Sequence, residues 1–521
     1  MIRKIVFAAA LILITVLVLY QMLNGFNDPF VGTYNTNNNY LQLSARNYLR
    51  FGRELWFSLP TYYAGGDLSV SPPLYLHHPP LVFWISALWH WAFGFANWVP
   101  RMMFLVFHLV SAFVLFLFVR SVWGRFVGIW SAVSYLVFPL TGIFYKLQFF
   151  EQLSLLFTLL TLWFMSLYFR RPSRLILVGT AGLGFFNMLT DWYAGYLFFA
   201  VPYLWRFGPK GKARPFISAY LSGLLPALLL YLLQVIRSPG GIGEIVNAFS
   251  GRAVASELTV LPFWPVRLAV LSLVRLIIYL SPFSIPALVG LLRFGLNTPF
   301  KKQFVAIMAI IGLVNPVILP TATWGHSYFL YYLVPLFAVA FGFSSSRLWP
   351  KRPLLAFTFL GVLVIWAYLV TGYKDYQQKK QLWKYDLALS VVDYLIPYEP
   401  VAVVNFPGDL LENYFFHPTQ SLSFDIKVDQ AVKSVYRVIL VACGVGECAG
   451  VPPLIGLAQT ASFNVQPFVI GENRGWLLLA TGQAEEIIQP EVWLSARTVG
   501  KEPLIIGFYR RIRDRIGGIQ I

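Results

Sequence analysis

Apolar runs long enough to cross a bilayer recur along the first 370 residues of this chain, and no other feature narrows its fold so far. A hydrocarbon core about 30 Å thick asks for roughly 20 mostly apolar residues per helix. Backbone polar groups inside it must be satisfied within the segment, which leaves helices. The stretches 5–22, 104–119, 126–144, 153–169, 175–190, 192–205, 216–235, 270–292, 304–319, 328–346 and 354–371 read as spans. Only 12% of the 521 residues are charged, about half the share of a soluble domain. The expectation is a polytopic α-helical membrane protein with about 11 transmembrane helices. The first run follows Met-Ile-Arg-Lys and resembles a signal sequence, but it is long and no small-residue cleavage site follows, so it reads as a retained helix.

A net charge of +18 raises the question of nucleic acid. Its distribution answers in the negative. Up to residue 372 there are 26 Lys and Arg against 7 Asp and Glu, whereas the remainder is nearly neutral. With the N-terminus inside, every inside loop is basic and free of acids, as the positive-inside bias asks. Asp28, Glu54, Asp67, Glu151, Asp191, Glu244 and Glu257 all fall outside, and so does the tail.

Residues 1–372 therefore read as a transmembrane domain with a large first outside loop, 23–103, and residues 373–521 as a small extracytoplasmic α/β domain. In the loop, FWISALWHWAFGFANW reads as an interfacial helix with tryptophans at headgroup level. In the second outside segment, 236–269, SPGGIGE reads as flexible. In the tail, LALSVVDYLI has helical spacing, and VAVVNF, RVILVAC, WLLLATG and PLIIGFY read as buried strands. Cys443 and Cys448 both lie outside, where a local disulfide can persist; bonded and free states both fit the spacing.

Among the outside acids, Glu54, Asp67, Glu244 and Glu257 read as solvated loop residues. Asp28, Glu151 and Asp191 stand closer to hydrocarbon, where an ionised group is costly unless paired or facing water. Asp191 fits a helix N-cap as well as a functional acid, and Glu151 fits a helix-dipole role as well. In LYLHHPPLVFW, two prolines set an extended entry into a helix, the second suited to its first turn. His77 and His78 then sit at a helix N-terminus, a place that favours anions. A capping turn and a phosphate or pyrophosphate site both fit there, with Lys146 able to join the latter.

These features in this order resemble the GT-C glycosyltransferases, and within them the protein-mannosyltransferase and aminoarabinose-transferase type. ARNYLRFG resembles the helix that follows the family's Asp-Glu motif. HHPPLVFWISALWHWAFG resembles its Lys/His-Pro-Pro-Leu segment, in which His78 matches the basic residue that contacts the carrier phosphate. HSYFLYYLVPLFAVAFG resembles its late His-x-Tyr helix and marks His326 and Tyr328 as substrate-binding positions. Glu151 matches an acid at the start of the fourth span, and Asp191-Trp192 resembles a pair in some bacterial members. The similarity covers about residues 1–345. It implies a GT-C-like fold in the plasma membrane with a cytoplasmic N-terminus. It also implies inverting transfer of a sugar from a polyprenyl phosphate to a lipid, glycan or protein acceptor outside. Polyprenyl-phosphate-linked sugar and membrane lipid would be its partners, with no nucleic acid among them.

The chain departs from the family at YNTNNNY, where the Asp-Glu falls on Asn37 and Asn38. An amide can hydrogen-bond an acceptor but cannot take its proton. The general base is then expected to be Asp28 first and Glu151 second. Asn37 and Asn38 would position the sugar, and Asp191 would orient it or a basic partner. The leaving phosphate needs charge from His77, His78 and Lys146, or from a divalent cation such as Mg or Mn. Two other readings stand beside this one. A non-catalytic protein that binds a lipid-linked saccharide is favoured by the missing Asp-Glu. A transporter or flippase is opposed by sparse charge within the spans and the absence of a repeat.

Overall fold

The computed structural model describes residues 12, 15–16, 18–20, 22–31, 35–52, 60–61, 64, 74–147, 150–192, 196–238, 240–253, 263–395, 400–404, 406–415, 419–422, 438–443, 463–470, 473–480 and 492–494. Among them, Trp98–Trp123, Phe150–Arg170, Ala213–Ile236, Pro299–Ile318, Ser327–Lys351 and Pro353–Val391 are helical stretches long and apolar enough to cross a membrane. Leu81–Phe93, Arg125–Val137, Arg174–Thr190 and Leu197–Phe207 are shorter apolar helices. The multi-pass helical architecture is as expected.

Two expected spans are not single helices, and proline is the reason in both. The stretch 126–144 divides into Arg125–Val137 and Pro139–Phe144. Phe138 is extended at ψ 133°, the conformation a residue before proline prefers, and Pro139 opens the next helix. The stretch 270–292 divides into Trp264–Tyr279 and Ser284–Phe294, bent by 96°. Pro282 lies in the break, where its missing N–H ends the helical ladder.

Helices Arg174–Thr190 and Ala213–Ile236 meet backbone to backbone. A methyl group on Gly223 would come within 1.7 Å of the Ala181 carbonyl oxygen, and one on Gly184 within 2.4 Å of that of Tyr220. Small residues at such crossings let dispersion and close packing replace the hydrophobic drive that lipid does not supply. The contact fixes Asp191, at the end of one helix, relative to Tyr231 on the other.

The segment read as flexible, SPGGIGE, instead turns into a helix, Gly241–Ala253. Gly240 and Gly241 have φ of +85° and +49° and make the turn. None of that helix's residues is buried.

The C-terminal part carries a six-stranded sheet in the order β2-β1-β3-β5-β4-β6. The strands are β1 Val401–Val404, β2 Thr419–Leu422, β3 Val438–Cys443, β4 Phe463–Ile470, β5 Asn473–Ala480 and β6 Val492–Leu494. β1 pairs in parallel with β2 and β3, β5 is antiparallel to β3 and β4, and β6 is parallel to β4. The expected strands VAVVNF, RVILVAC and WLLLATG supply β1, β3 and β5, all rich in β-branched or leucine side chains. β2, β4 and β6 were not read from the sequence. Helix Leu382–Val391 matches the helical spacing of LALSVVDYLI. PLIIGFY and Cys448, the second half of the disulfide candidate, lie outside the described residues. The domain's core joins Leu387, Val401, Leu410 and Leu440 to Val31 of the first loop. The boundary expected at 372 falls inside helix Pro353–Lys379, which carries the chain into the C-terminal part without a break.

Candidate active site

A cavity of about 530 Å³ lies where helix Asn35–Arg50, the Tyr75–His78 loop, the start of Phe150–Arg170, the end of Arg174–Thr190, helix Gly241–Ala253 and the 3-10 helix Ser327–Leu333 converge. Its walls are apolar, with Val246, Phe249, Val314 and Ile318 among them. Its polar groups are few: Asn37, His77, His78, Glu151, Asp191 and Arg252, with Tyr75 and Tyr328 at the sides. An apolar cavity with a few convergent polar groups is the usual form of a small-molecule site.

The His-His loop is held from below. The Trp192 indole donates to the His77 carbonyl at 2.7 Å, and the Tyr231 hydroxyl donates to the Leu76 carbonyl. Trp192 and Tyr231 pack edge to face, 5.1 Å between centroids. Pro80 stands at the N-cap of Leu81–Phe93, one residue earlier than the first-turn place its sequence suggested. The His78 ring lies flat on Phe150, centroids 4.2 Å apart and planes 2° off parallel. Its Nδ1 is 2.9 Å from Asp191 Oδ1.

Burial and the nearby Arg252 charge push the His78 imidazole well below its ordinary value, and burial pushes the Asp191 carboxyl well above. Both directions fit one proton shared by the pair. His77 Nε2 is 3.3 Å from Glu244 Oε1. Glu244, read as a solvated loop residue, thus ties the Gly241–Ala253 helix to the loop. Burial, helped by Arg252 and His78, lowers the His77 imidazole.

Glu151 and Asp191 are 3% and 0% exposed, yet Glu151 Oε2 and Asp191 Oδ2 have no hydrogen-bond partner among the described residues. Buried polar atoms are nearly always paired, so these two carboxyl oxygens are met at the cavity by water or by a ligand. Arg252 was missed from the sequence. The sequence carried no signal that sets it apart, since Arg46, Arg50, Arg101, Arg237 and Arg267 stand in the same outside segments.

The structure separates the expected site residues. Asn37, His77, His78, Glu151, Asp191 and Tyr328 line the cavity. His326 is exposed and stacks on Tyr328, 5.1 Å between centroids. Asn38 is buried and donates to Asn35 Oδ1 at 2.7 Å. It faces away from the cavity because adjacent helical residues lie about 100° apart.

Asp28, first choice as base, and Lys146, a candidate for the phosphate, both line a second and much smaller cleft. There Lys146 Nζ pairs with Asp375 at 3.2 Å, and Arg101 Nη1 takes the Asp28 carbonyl at 2.6 Å. Arg101 also takes the Phe26 carbonyl, so the chain that leaves the first helix is turned toward this cleft. Among the described residues no three His, Cys, Asp or Glu groups converge as a metal site.

The fold is shared with solved membrane glycosyltransferases. ArnT from Cupriavidus metallidurans bound to undecaprenyl phosphate superposes with a TM-score of 0.63 at 13% identity, over 92% of this chain and 99% of that one. The archaeal oligosaccharyltransferase AglB from Archaeoglobus fulgidus, in complex with an inhibitory peptide and a dolichol-phosphate, gives 0.53 at 12%, over 90% and 74%. The arabinofuranosyltransferase AftD from Mycobacteria gives 0.52 at 15%, over 90% of this chain and 42% of that one. Residues 77–236 match the family described as dolichyl-phosphate-mannose-protein mannosyltransferase. No curated protein matches the chain by sequence. The chain has the GT-C fold, and the resemblance drawn from its motifs holds in both fold and family model.

Proposed function

We propose that the chain is a membrane glycosyltransferase that moves a sugar from a polyprenyl-phosphate carrier to a hydroxyl or amine acceptor. The two carboxyl oxygens of Glu151 and Asp191 without a partner among the described residues, on one apolar cavity with Arg252 and His78, carry this reading. Base and phosphate-binding cations sit on the same void, as displacement at an anomeric carbon requires.

In the step we infer, Glu151 takes the acceptor proton as the acceptor oxygen or nitrogen bonds to the anomeric carbon. The bond from that carbon to the phosphate oxygen breaks, and the configuration inverts. The departing phosphate gains charge, so it needs cations more than a proton. Arg252 supplies a fixed one. His78 supplies a second when Asp191 passes it the shared proton, so Asp191 orients the basic partner. Asn37 hydrogen-bonds the sugar or acceptor and removes no proton. No step is routed through a metal ion.

The acids on one side and the basic loops on the other favour a plasma-membrane protein with its N-terminus in the cytoplasm and this cavity on the opposite face. Asn37 at the cavity favours one second reading, a protein that binds a lipid-linked saccharide without turnover. Transfer from a radiolabelled polyprenyl-phosphate sugar by the purified chain separates the two. Turnover that Glu151→Gln abolishes is the expected result. Saturable carrier binding without turnover, across lipid, glycan and peptide acceptors, would sink the enzyme reading.

A further inference from the structure

The segment from Phe30 to Arg50 leads from the first helix and delivers Asn37 to the cavity, yet much of its anchorage is on the C-terminal domain. The Phe30 amide donates to the Tyr414 hydroxyl at 3.0 Å, which itself donates to Asn97 Oδ1 at 2.8 Å. Val31 is buried in the domain's own core. Asn413, on helix Gly408–Phe415, donates through Nδ2 to Asn39 Oδ1 at 3.0 Å and to Gln42 Oε1 at 2.9 Å. The Arg46 guanidinium donates to the Asn413 carbonyl. Asn39, Gln42 and Asn413 are fully buried.

The donor role of Asn413 is dictated by its neighbours. Asn39 Nδ2 donates to the Phe30 carbonyl at 3.1 Å. A carbonyl only accepts, so the Asn39 amide cannot turn round, and its oxygen must face Asn413. Asn413 must therefore present its NH2 group. Asn39 and Gln42 are three residues apart on Asn35–Arg50 and share a face. Asn37, two residues before Asn39, lies about 200° round the helix from it. The domain grips one face, Ser44 and Asn47 donate to the Thr61 carbonyl from another, and Asn37 meets the cavity.

We propose that Asn413 is a positioning residue for the cavity: by holding Asn39 and Gln42 it fixes the rotation of helix Asn35–Arg50 that keeps Asn37 at the reacting groups. Its effect on rate rests on the glycosyltransferase reading; its effect on geometry does not. The sharpest variant is Asn413→Asp, which keeps the side-chain volume and removes the donor.

In the purified full chain, Asn413→Asp is expected to lower kcat for sugar transfer about tenfold or more, since a displacement of about 1 Å costs as much as a hundredfold. Binding of polyprenyl phosphate, which meets Arg252 and His78 on other elements, stays within about twofold of the parent. A second readout needs no turnover: in Asn37→Cys, the rate of labelling by a water-soluble maleimide shifts several-fold when Asn413→Asp is added. The chain with native Asn37 provides the blank for Cys443 and Cys448. Unchanged kcat, or a fall in kcat matched by carrier binding with labelling unaltered, overturns the proposal. If the parent chain transfers no sugar, the glycosyltransferase reading fails and labelling alone decides: a shift supports the positioning role, and no shift overturns it.

Discussion

Two charged regions lie near each other in the chain's expected site and end with opposite characters. In the small cleft, Lys146 pairs with Asp375, and Arg101 is spread over the carbonyls of Phe26, Asp28 and Asn97. In the large cavity, Glu151 and Asp191 each keep an oxygen unpartnered, with Arg252 in the same wall. Paired buried charges hold elements together. Unpaired ones beside a void of about 530 Å³ destabilise the fold unless a ligand completes them. The comparison teaches that closeness to a span does not sort these acids, whereas the cavity each one lines does.

The largest effect should come from Glu151→Gln. Loss of a general base is expected to cut transfer by about 10²–10⁴-fold while polyprenyl phosphate still binds; single-turnover assays alongside binding would check this. Unchanged transfer would put the base elsewhere and dissolve the contrast. Arg252→Ala is next. Loss of a charged hydrogen-bonding partner should weaken carrier phosphate binding about 10- to 100-fold. Arg252→Lys should recover only part of it, because an ammonium lacks the guanidinium fork.

The cleft should behave the other way. Lys146→Ala leaves Asp375 unpaired, a loss of about 2 kcal/mol of stability. That is below the cost for a fully buried pair, because Asp375 keeps 21% exposure. Its transfer rate per folded molecule should equal the parent's, as thermal melts and activity on the same preparation would reveal.

Asp191→Asn gives the smallest change in stability and the most telling sign. Burial raises this carboxyl, so in the folded chain its ionisation costs free energy that the unfolded chain does not pay. Stability is full below the unfolded carboxylate range and is lost as pH rises toward the raised value. The asparagine variant should therefore be about 1 kcal/mol more stable at neutral pH. Its advantage should vanish toward pH 4, an order-of-magnitude bound from the ordinary aspartate value of about 3.9. Transfer should fall in the same protein, since His78 loses its proton store.

Much of the fold was legible because it is written in local pattern. Apolar runs of spanning length, tryptophans in LVFWISALWHWAF and β-rich VILVAC each declare their element without reference to the rest. The misreadings were local too. A proline inside an apolar run leaves hydropathy untouched, so 126–144 and 270–292 looked continuous. Paired glycines signalled flexibility where they turn the chain into a helix. For the site, Glu151 and Asp191 stood out because ionisable groups beside hydrocarbon are conspicuous, and His78 because it precedes a proline-paired entry into a helix; all three line the cavity. Arg252 did not, because nothing next to it in sequence marks it.

YNTNNNY illustrates the division. That asparagines stand at 35, 37, 38 and 39 is a property of the sequence, and it limits Asn37 to hydrogen bonding because a neutral amide does not take up a proton. Which of the four meets the cavity is not. Asn35 donates back to the Val31 carbonyl ahead of the helix, Asn38 donates to the Asn35 side chain, Asn39 is held between Phe30 and Asn413, and Asn37 alone of the four lines the void. Span length is local and additive, so the chain alone determines a multi-pass helical protein. The meeting of residues 37, 78, 151, 191 and 252 depends on helix rotation and on a domain more than 370 positions away. Only packing decides such things, because it sets which face of each helix is left without a partner.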